Sequence, residues 1–185
     1  SAMNAMTETP LDTDPLRDSA LYFNRELSQL DFNFRVLAQA QDAQVPLLER
    51  LKYLCISCTN LDEFFEIRAG TMRHAQNLGL APGPDGLAPA TVLSRIHDRA
   101  AELVKSQYEC WNDVLRPALS DAGVRVLGRN SWNARQTRWL RAYFRDEIMP
   151  VLSPLGLDPA HPFPKILNKS LNIVVVLKGK DAFGR

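Results

Sequence analysis

A pair of cysteines is the first pattern in the chain that suggests chemistry. Cys55 and Cys58 form a C-x-x-C pair, whereas Cys110 lies far along the sequence. A structural zinc site needs a second pair of ligands, and an odd number of cysteines gives no complete disulfide framework. No ligand spacing connects the histidines His74, His97 and His161. We therefore expect the cysteines to be small buried residues of helices.

The polar run Thr59-Asn60-Leu61-Asp62-Glu63 supports two interpretations. Asn60 followed by Glu63 is the pattern of a capping box at a helix start. The free backbone amides of a helix start also bind anionic ligands, so Asn60 is a candidate ligand contact as well. The residues alone favour the capping interpretation and leave the ligand contact open.

Three acids near this run, Asp62, Glu63 and Glu66, are a candidate metal cluster, because helical residues three or four apart share a face. Acids in the first turn of a helix are also stabilised by the positive end of its dipole. We prefer this second interpretation and predict that the chain binds no metal.

Two helices are predicted before the polar run that starts at Thr59. The first opens at Ser28, with Asp31 completing a capping box, and runs to about Ala43. The second begins at Pro46, which suits a first turn, and ends near Ser57. One apolar face of the first helix carries Leu30, Phe34 and Leu37.

Two further helices complete the predicted domain. The third begins at Asn60 and ends before the Pro- and Gly-rich residues 78–86. The fourth runs from Pro89 toward Pro117 with apolar residues at helical spacing over about seven turns. Short connections favour antiparallel neighbours, so residues 21–123 are predicted to form an antiparallel helical domain.

The remaining residues, 124–185, read as the truncated start of an α+β domain. Residues 124–127 and 172–177 have the composition of short strands, and Ser131 is the expected cap of a helix between them. Proline-rich residues 150–164 predict an extended connection. The fold class is therefore mainly α, with a helical domain followed by a partial α+β head domain.

The overall composition excludes several classes of protein. The 22 Lys and Arg against 21 Asp and Glu leave a net charge of +1, which gives no field for nucleic acid or an anionic membrane. No apolar run approaches the ~20 residues of a membrane span. Residues 1–20 read as a disordered leader with a cloning scar and lack a secretory signal. We expect a cytoplasmic protein.

Three stretches together resemble the polyphosphate kinase family. They are residues 23–37, residues 46–68, in which PLLERLK precedes NLDEFF, and residues 150–164. Their order and separation make the resemblance far more specific than any single motif. One departure is Gln29, where the family usually has tryptophan, which puts a local packing or interface contact in doubt.

The resemblance implies a homodimeric enzyme that moves the terminal phosphate of ATP reversibly onto inorganic polyphosphate through a phosphohistidine, with Mg²⁺ assisting. In the family, that histidine and most of the phosphate-binding residues lie in two further C-terminal domains, which this sequence does not contain. We therefore expect no catalytic residue, no bound cofactor and no activity in this segment alone. Asn60 matches a family contact to ATP, and this implication favours the ligand interpretation of Asn60.

Two alternatives stay open after the resemblance. The basic residues Arg50, Lys52, Arg68 and Arg73 are either a lining for polyphosphate, a linear polyanion, or scattered surface charge. The segment itself is either a module that contacts nucleotide and forms a dimer, or a purely structural helical interaction module that binds no nucleotide.

Overall fold

A computed structural model of the chain describes residues 15–157, 162–167, 169–176 and 178–179. The backbone separates into two compact units, one ending at Leu127 and the other beginning at Gly128. The sequence places this boundary slightly earlier, at Gly123. Helices dominate the first unit and are the regular elements in the described part of the second, which confirms the mainly helical fold class.

Helix α1 spans Arg25–Gln41. Its cap is Asn24, whose side-chain oxygen accepts a hydrogen bond from the backbone N–H of Leu27 over 3.0 Å. The Nδ2 of Asn24 donates to Asp85 over 2.6 Å, which ties the helix start to the loop before the fourth predicted helix. The predicted start at Ser28 is therefore wrong, because a better cap lies one turn earlier.

Helix α2 spans Leu47–Glu63 and continues through a π-helical segment, Phe64–Ala69, into α3, Gly70–Asn77. The predicted end at Ser57 and new start at Asn60 are both wrong. No proline or glycine interrupts residues 47–69, and the carbonyl of Asn60 accepts the N–H of Phe64 as in any helix interior. Asn60 therefore caps no helix.

The long helix predicted from Pro89 is confirmed. Helix α4, Pro89–Glu109, continues through a π-helical segment, Cys110–Leu115, into α5, Arg116–Asp121. Gly123 ends it at a positive φ of 88°, and the N–H of Val124 donates to the carbonyl of Leu119 over 2.8 Å. Residues 124–127 are not the predicted strand, because this amide closes the helix end and no described strand pairs with the segment.

Specific contacts show that α1 and α2 run antiparallel, as predicted. Near the α1–α2 connection, Arg50 Nε donates to the carbonyl of Ala40 over 2.9 Å. Farther from the connection, Asn33 Nδ2 donates to the carbonyl of Ser57 over 2.9 Å. Ser57 in turn contacts Gln107 of α4. The core between these helices contains Leu30, Leu37, Ala40, Leu54, Leu61, Phe64, Val92, Ile96, Ala100, Leu103, Cys110 and Leu115.

Helix α6, Ala134–Tyr143, lies in the second unit and continues through Phe144–Ile148 in π-helical form and Met149–Val151 as a 3-10 turn. Its cap is Asn133, which forms a capping box with Gln136, so the predicted cap at Ser131 is wrong.

The described part of the predicted connection, residues 152–157 and 162–164, has no regular secondary structure, as expected of a connection. The strand predicted for residues 172–177 is absent from the described part of the second unit. Residues 172–176 are not a strand, because no partner strand is present in the part of the chain that is described. The last residue of that predicted strand, Leu177, lies outside the described residues.

The predicted leader is partly ordered. Pro15–Arg17 and Ser19–Leu21 form 3-10 turns, and Asp18 accepts a hydrogen bond from the N–H of Ala20 over 2.9 Å. Residues 1–14 lie outside the description. In the described ranges, no helix has the length and apolar character needed to cross a membrane.

Candidate functional site

A cleft of about 130 Å³ lies between α1 and the end of α2. Asn60, the residue that the sequence singles out as a ligand contact, lies on its wall. The other lining residues are Gln29, Leu30, Phe32, Asn33, Glu63 and Phe64. The structure therefore places the predicted contact beside a concave surface.

The way in which Asn60 can bind a ligand differs from the sequence expectation. Asn60 is half-buried in the interior of α2, where the neighbouring backbone amides are hydrogen-bonded within the helix. No free helix start is available to attract an anion at this point. Only the side-chain amide of Asn60 remains to interact with a ligand.

Behind Asn60 lies a buried polar network that joins three helices. Asn33, Ser57 and Gln107 expose only 3%, 0% and 6% of their surfaces. Asn33 Nδ2 donates to the carbonyl of Ser57 and Gln107 Nε2 donates to Ser57 Oγ, each over 2.9 Å. Asn60 Nδ2 lies 3.5 Å from Asn33 Oδ1, at the long limit of a hydrogen bond. The cleft wall is thus connected to the core.

Asn33 is not among the site residues predicted from the sequence, although its position carries a signal. On α1 the buried residues are Leu30, Asn33, Leu37 and Ala40, at the spacing of a core stripe. Asn33 is the polar member of that stripe. Buried polar side chains need hydrogen-bond partners, so an asparagine at a core position indicates a specific network.

The chemistry of the cleft suits an uncharged, partly flat group. Three side-chain amides, from Gln29, Asn33 and Asn60, occur in its lining together with the rings of Phe32 and Phe64. The charged lining residue is Glu63, which accepts hydrogen bonds and repels phosphate. The cleft is also smaller than the ~300–1,000 Å³ typical of pockets for whole drug-sized ligands. It therefore fits one ring system of a larger ligand.

The three candidate metal-binding acids do not form a site. Glu63 lines the cleft, whereas Asp62 and Glu66 are exposed elsewhere on the helix surface. Within the described ranges, no group of three His, Cys, Asp or Glu side chains is placed to hold a metal ion. His74 and His97 are exposed on α3 and α4, and His161 lies outside the described residues.

The cysteines differ in burial. Cys110 is buried as predicted, but Cys55 and Cys58 are exposed, because Leu54 and Ser57 occupy the core face of α2. Partial burial raises the pKa of the Cys58 thiol, and the neighbouring Cys55 and Asp62 raise it further. A raised pKa keeps the thiol protonated, which opposes thiolate chemistry.

The basic residues considered for polyphosphate are not brought together as one lining. Arg50 donates a hydrogen bond to the carbonyl of Ala40 at the end of α1. Lys52 forms an ion pair with Glu49 over 3.5 Å at the exposed surface. Two residues apart on a helix, Arg50 and Lys52 project from different faces. Arg68 and Arg73 lie beyond Glu63, in the π-helical segment and α3.

Comparisons with known proteins agree with the fold. Residues 22–127 match the family model described as Polyphosphate kinase N-terminal domain, and residues 135–185 match Polyphosphate kinase middle domain. The chain is 74% identical over 169 residues to a polyphosphate kinase of Xylella fastidiosa (strain 9a5c), covering 91% of this chain and 24% of that protein. A Pseudomonas syringae pv. tomato polyphosphate kinase is 53% identical over 171 residues, with 92% and 23% covered.

A solved structure shows the same likeness. The crystal structure of polyphosphate kinase from Porphyromonas gingivalis superposes with a TM-score of 0.66 at 28% identity, covering 78% of this chain and 20% of that one. The chain spans about a quarter of the length of the curated relatives that it matches. By both sequence and fold, this chain belongs to the polyphosphate kinase family, within which it corresponds to the N-terminal domain and part of the middle domain.

Proposed function

We propose that this chain is the nucleotide-contacting, N-terminal part of a polyphosphate kinase, a phosphotransferase that moves the terminal phosphate of ATP reversibly onto inorganic polyphosphate. The phosphohistidine and the residues that hold Mg²⁺ lie outside this segment. The single observation that carries the proposal is the position of Asn60, whose side-chain amide stands at the wall of a cleft lined by amides and aromatic rings.

The lining of the cleft favours the base of the nucleotide over its phosphates. A purine base is flat and offers hydrogen-bond donors and acceptors at its edge, which side-chain amides and a carboxylate can match. Phe32, about half exposed at the cleft, provides a surface for stacking. Glu63 disfavours the triphosphate, because like charges repel. The phosphates are therefore directed toward residues outside this segment.

Kinetics of a full-length protein that carries this segment test the proposal. Replacing Asn60→Ala removes the side-chain amide and should raise KM for ATP about three- to tenfold, the effect of losing one neutral hydrogen bond. KM for polyphosphate should not change. Thr59→Ala, next to Asn60 but outside the cleft lining, is the matched control. An unchanged KM for ATP in Asn60→Ala would favour the structural helical module that binds no nucleotide.

The proposal includes a homodimer, as the family resemblance implies, and a cytoplasmic location, as the sequence predicts. Support for an interaction surface comes from the second unit, in which Ile173, Val174 and Val176 each expose at least 75% of their surface. Sedimentation at micromolar concentration tests the dimer, and a strict monomer of the full-length protein would contradict it.

A further inference from the structure

The orientation of the Asn60 amide follows from the partners of Asn33. The backbone carbonyl of Ser57 can only accept a hydrogen bond, so Asn33 must turn its NH₂ group toward Ser57, at 2.9 Å. Ser57 exposes 0% of its surface, which leaves no access for water to replace this bond. The Asn33 amide therefore has one satisfied orientation.

This orientation fixes the next amide in the network. With its NH₂ group on Ser57, Asn33 presents Oδ1 to Asn60, whose Nδ2 lies 3.5 Å away. An oxygen accepts a hydrogen bond from NH₂ and repels another oxygen, so Asn60 must turn its NH₂ group toward Asn33. The group of Asn60 that remains for a ligand is Oδ1, a hydrogen-bond acceptor. Because the distance between Asn60 Nδ2 and Asn33 Oδ1 is long, the main effect of this contact is to set the orientation of the Asn60 amide.

We propose that Asn33 is a positioning residue that makes Asn60 present an acceptor to the cleft, and that the cleft thereby selects a nucleobase with an exocyclic amino group over one with a carbonyl at that position. This inference rests on the proposed function, because it assumes that the base binds beside Asn60. It adds to that function a specificity device whose controlling residue lies in the core and exposes only 3% of its surface.

The network itself provides a matched control. Gln107 is nearly as buried as Asn33 and also donates a hydrogen bond to Ser57, but to the hydroxyl Oγ, and it has no described contact with Asn60. Replacing Asn33→Leu or Gln107→Leu removes a buried amide from the same site. Both variants should lose stability, but only Asn33→Leu frees the Asn60 amide to rotate.

The experiment compares ATP with inosine triphosphate, which carries a carbonyl in place of the amino group of adenine, in a full-length protein with this segment. We expect the unaltered protein to prefer ATP, with a lower KM for ATP than for inosine triphosphate. Asn33→Leu should reduce the ratio of KM for inosine triphosphate to KM for ATP about three- to tenfold, toward equal use of the two nucleotides. Gln107→Leu should keep the native ratio. Asn33→Asp, which retains an acceptor facing Asn60, should keep the preference for ATP despite lower stability.

The outcomes separate the two proposals. If Asn60→Ala raises KM for ATP while Asn33→Leu keeps the native ratio, or Gln107→Leu relaxes it equally, the positioning role of Asn33 is wrong and the nucleotide contact stands. If Asn60→Ala leaves KM for ATP unchanged, the contact fails and the inference fails with it. Should Asn33→Leu not fold, NMR of the unaltered chain decides: NOEs between the Asn60 NH₂ protons and the Asn33 side chain are expected, and their absence would overturn the inference.

Discussion

The guanidinium carbon of Arg99 lies 3.8 Å from the centre of the Phe34 ring, and the same side chain pairs with Asp31 over 2.7 Å. Phe34 and Asp31 belong to α1, whereas Arg99 belongs to α4, so one side chain joins two helices that are far apart in sequence. A planar cation over an aromatic face combines stacking with electrostatic attraction.

Arg99→Ala should therefore lower the free energy of unfolding by about 1–2 kcal/mol, the sum of a stacked cation and a partly exposed ion pair. Arg99→Lys should lie between the alanine variant and the native chain, because it keeps the charge and loses the planar contact. Denaturant unfolding of the chain measures both. The control Lys52→Ala removes an exposed surface pair and should change stability by less than ~0.5 kcal/mol. Equal effects of Arg99→Ala and Lys52→Ala would contradict the inter-helix role.

Two glycines should respond to alanine with opposite signs. Gly70 has helical backbone angles, and Gly123 has a φ of 88°; an added Cβ meets no atom within 4 Å at either position. Gly70→Ala should stabilise the chain by about 0.5–1 kcal/mol, because alanine loses less entropy in a helix. Gly123→Ala should destabilise it by about 1 kcal/mol through left-handed strain. Thermal unfolding of the two variants measures these effects. Shifts of the thermal midpoint with the same sign in both variants would contradict the geometry of the helix end.

Thiol labelling should rank the cysteines by burial and pKa. The pKa of Cys58 is raised above the ordinary 9.0, so its reactive thiolate is scarce at neutral pH and increases as pH rises above that value. The pKa of Cys110 is also raised by burial, and its side chain is inaccessible in addition. We expect Cys110 to react only on unfolding and Cys58 to react faster with increasing pH. Fast, pH-independent modification of Cys58 near pH 7 would contradict this environment.

The chain alone should not transfer phosphate. Mixed with ATP, Mg²⁺ and polyphosphate, it should show neither polyphosphate turnover nor acid-labile phosphohistidine in an assay with radiolabelled ATP. The positive control is a full-length polyphosphate kinase under the same conditions. Phosphate bound to His74 or His97 above the level of a heat-inactivated sample would show that the chemistry is not confined to other domains.

Sequence patterns predicted the helices well where apolar spacing is regular. The stripe of Leu30 and Leu37 and the long repeat of α4 both form buried faces. Caps were less predictable, since Ser28 and Asn60 have the residue type of a cap but lie inside helices. A cap forms only where the chain actually changes direction, and several positions of suitable type compete for that role.

The candidate site was only partly visible in the sequence. The family resemblance identifies Asn60, but its partner Asn33 lies 27 residues away in the sequence. Contacts across such separations depend on how helices pack, which local periodicity does not specify. The two strands predicted from composition likewise depend on partners that residues 124–127 and 172–176 do not have in the described chain.

The most direct test of the nucleotide contact is Asn60→Asp in a full-length protein, with the thermal midpoint and KM for ATP measured side by side. Asn60 lies in a helix interior and caps nothing, and asparagine and aspartate have similar helix propensities. The substitution also removes the donor that faces Asn33 Oδ1, but this contact is long, at 3.5 Å, so the midpoint should fall only slightly. The substitution removes the amide and adds a carboxylate beside Glu63 in a cleft that receives a polyanionic ligand. We predict that KM for ATP rises about tenfold or more while the midpoint falls only slightly. Native KM with a native midpoint would contradict the nucleotide contact at Asn60.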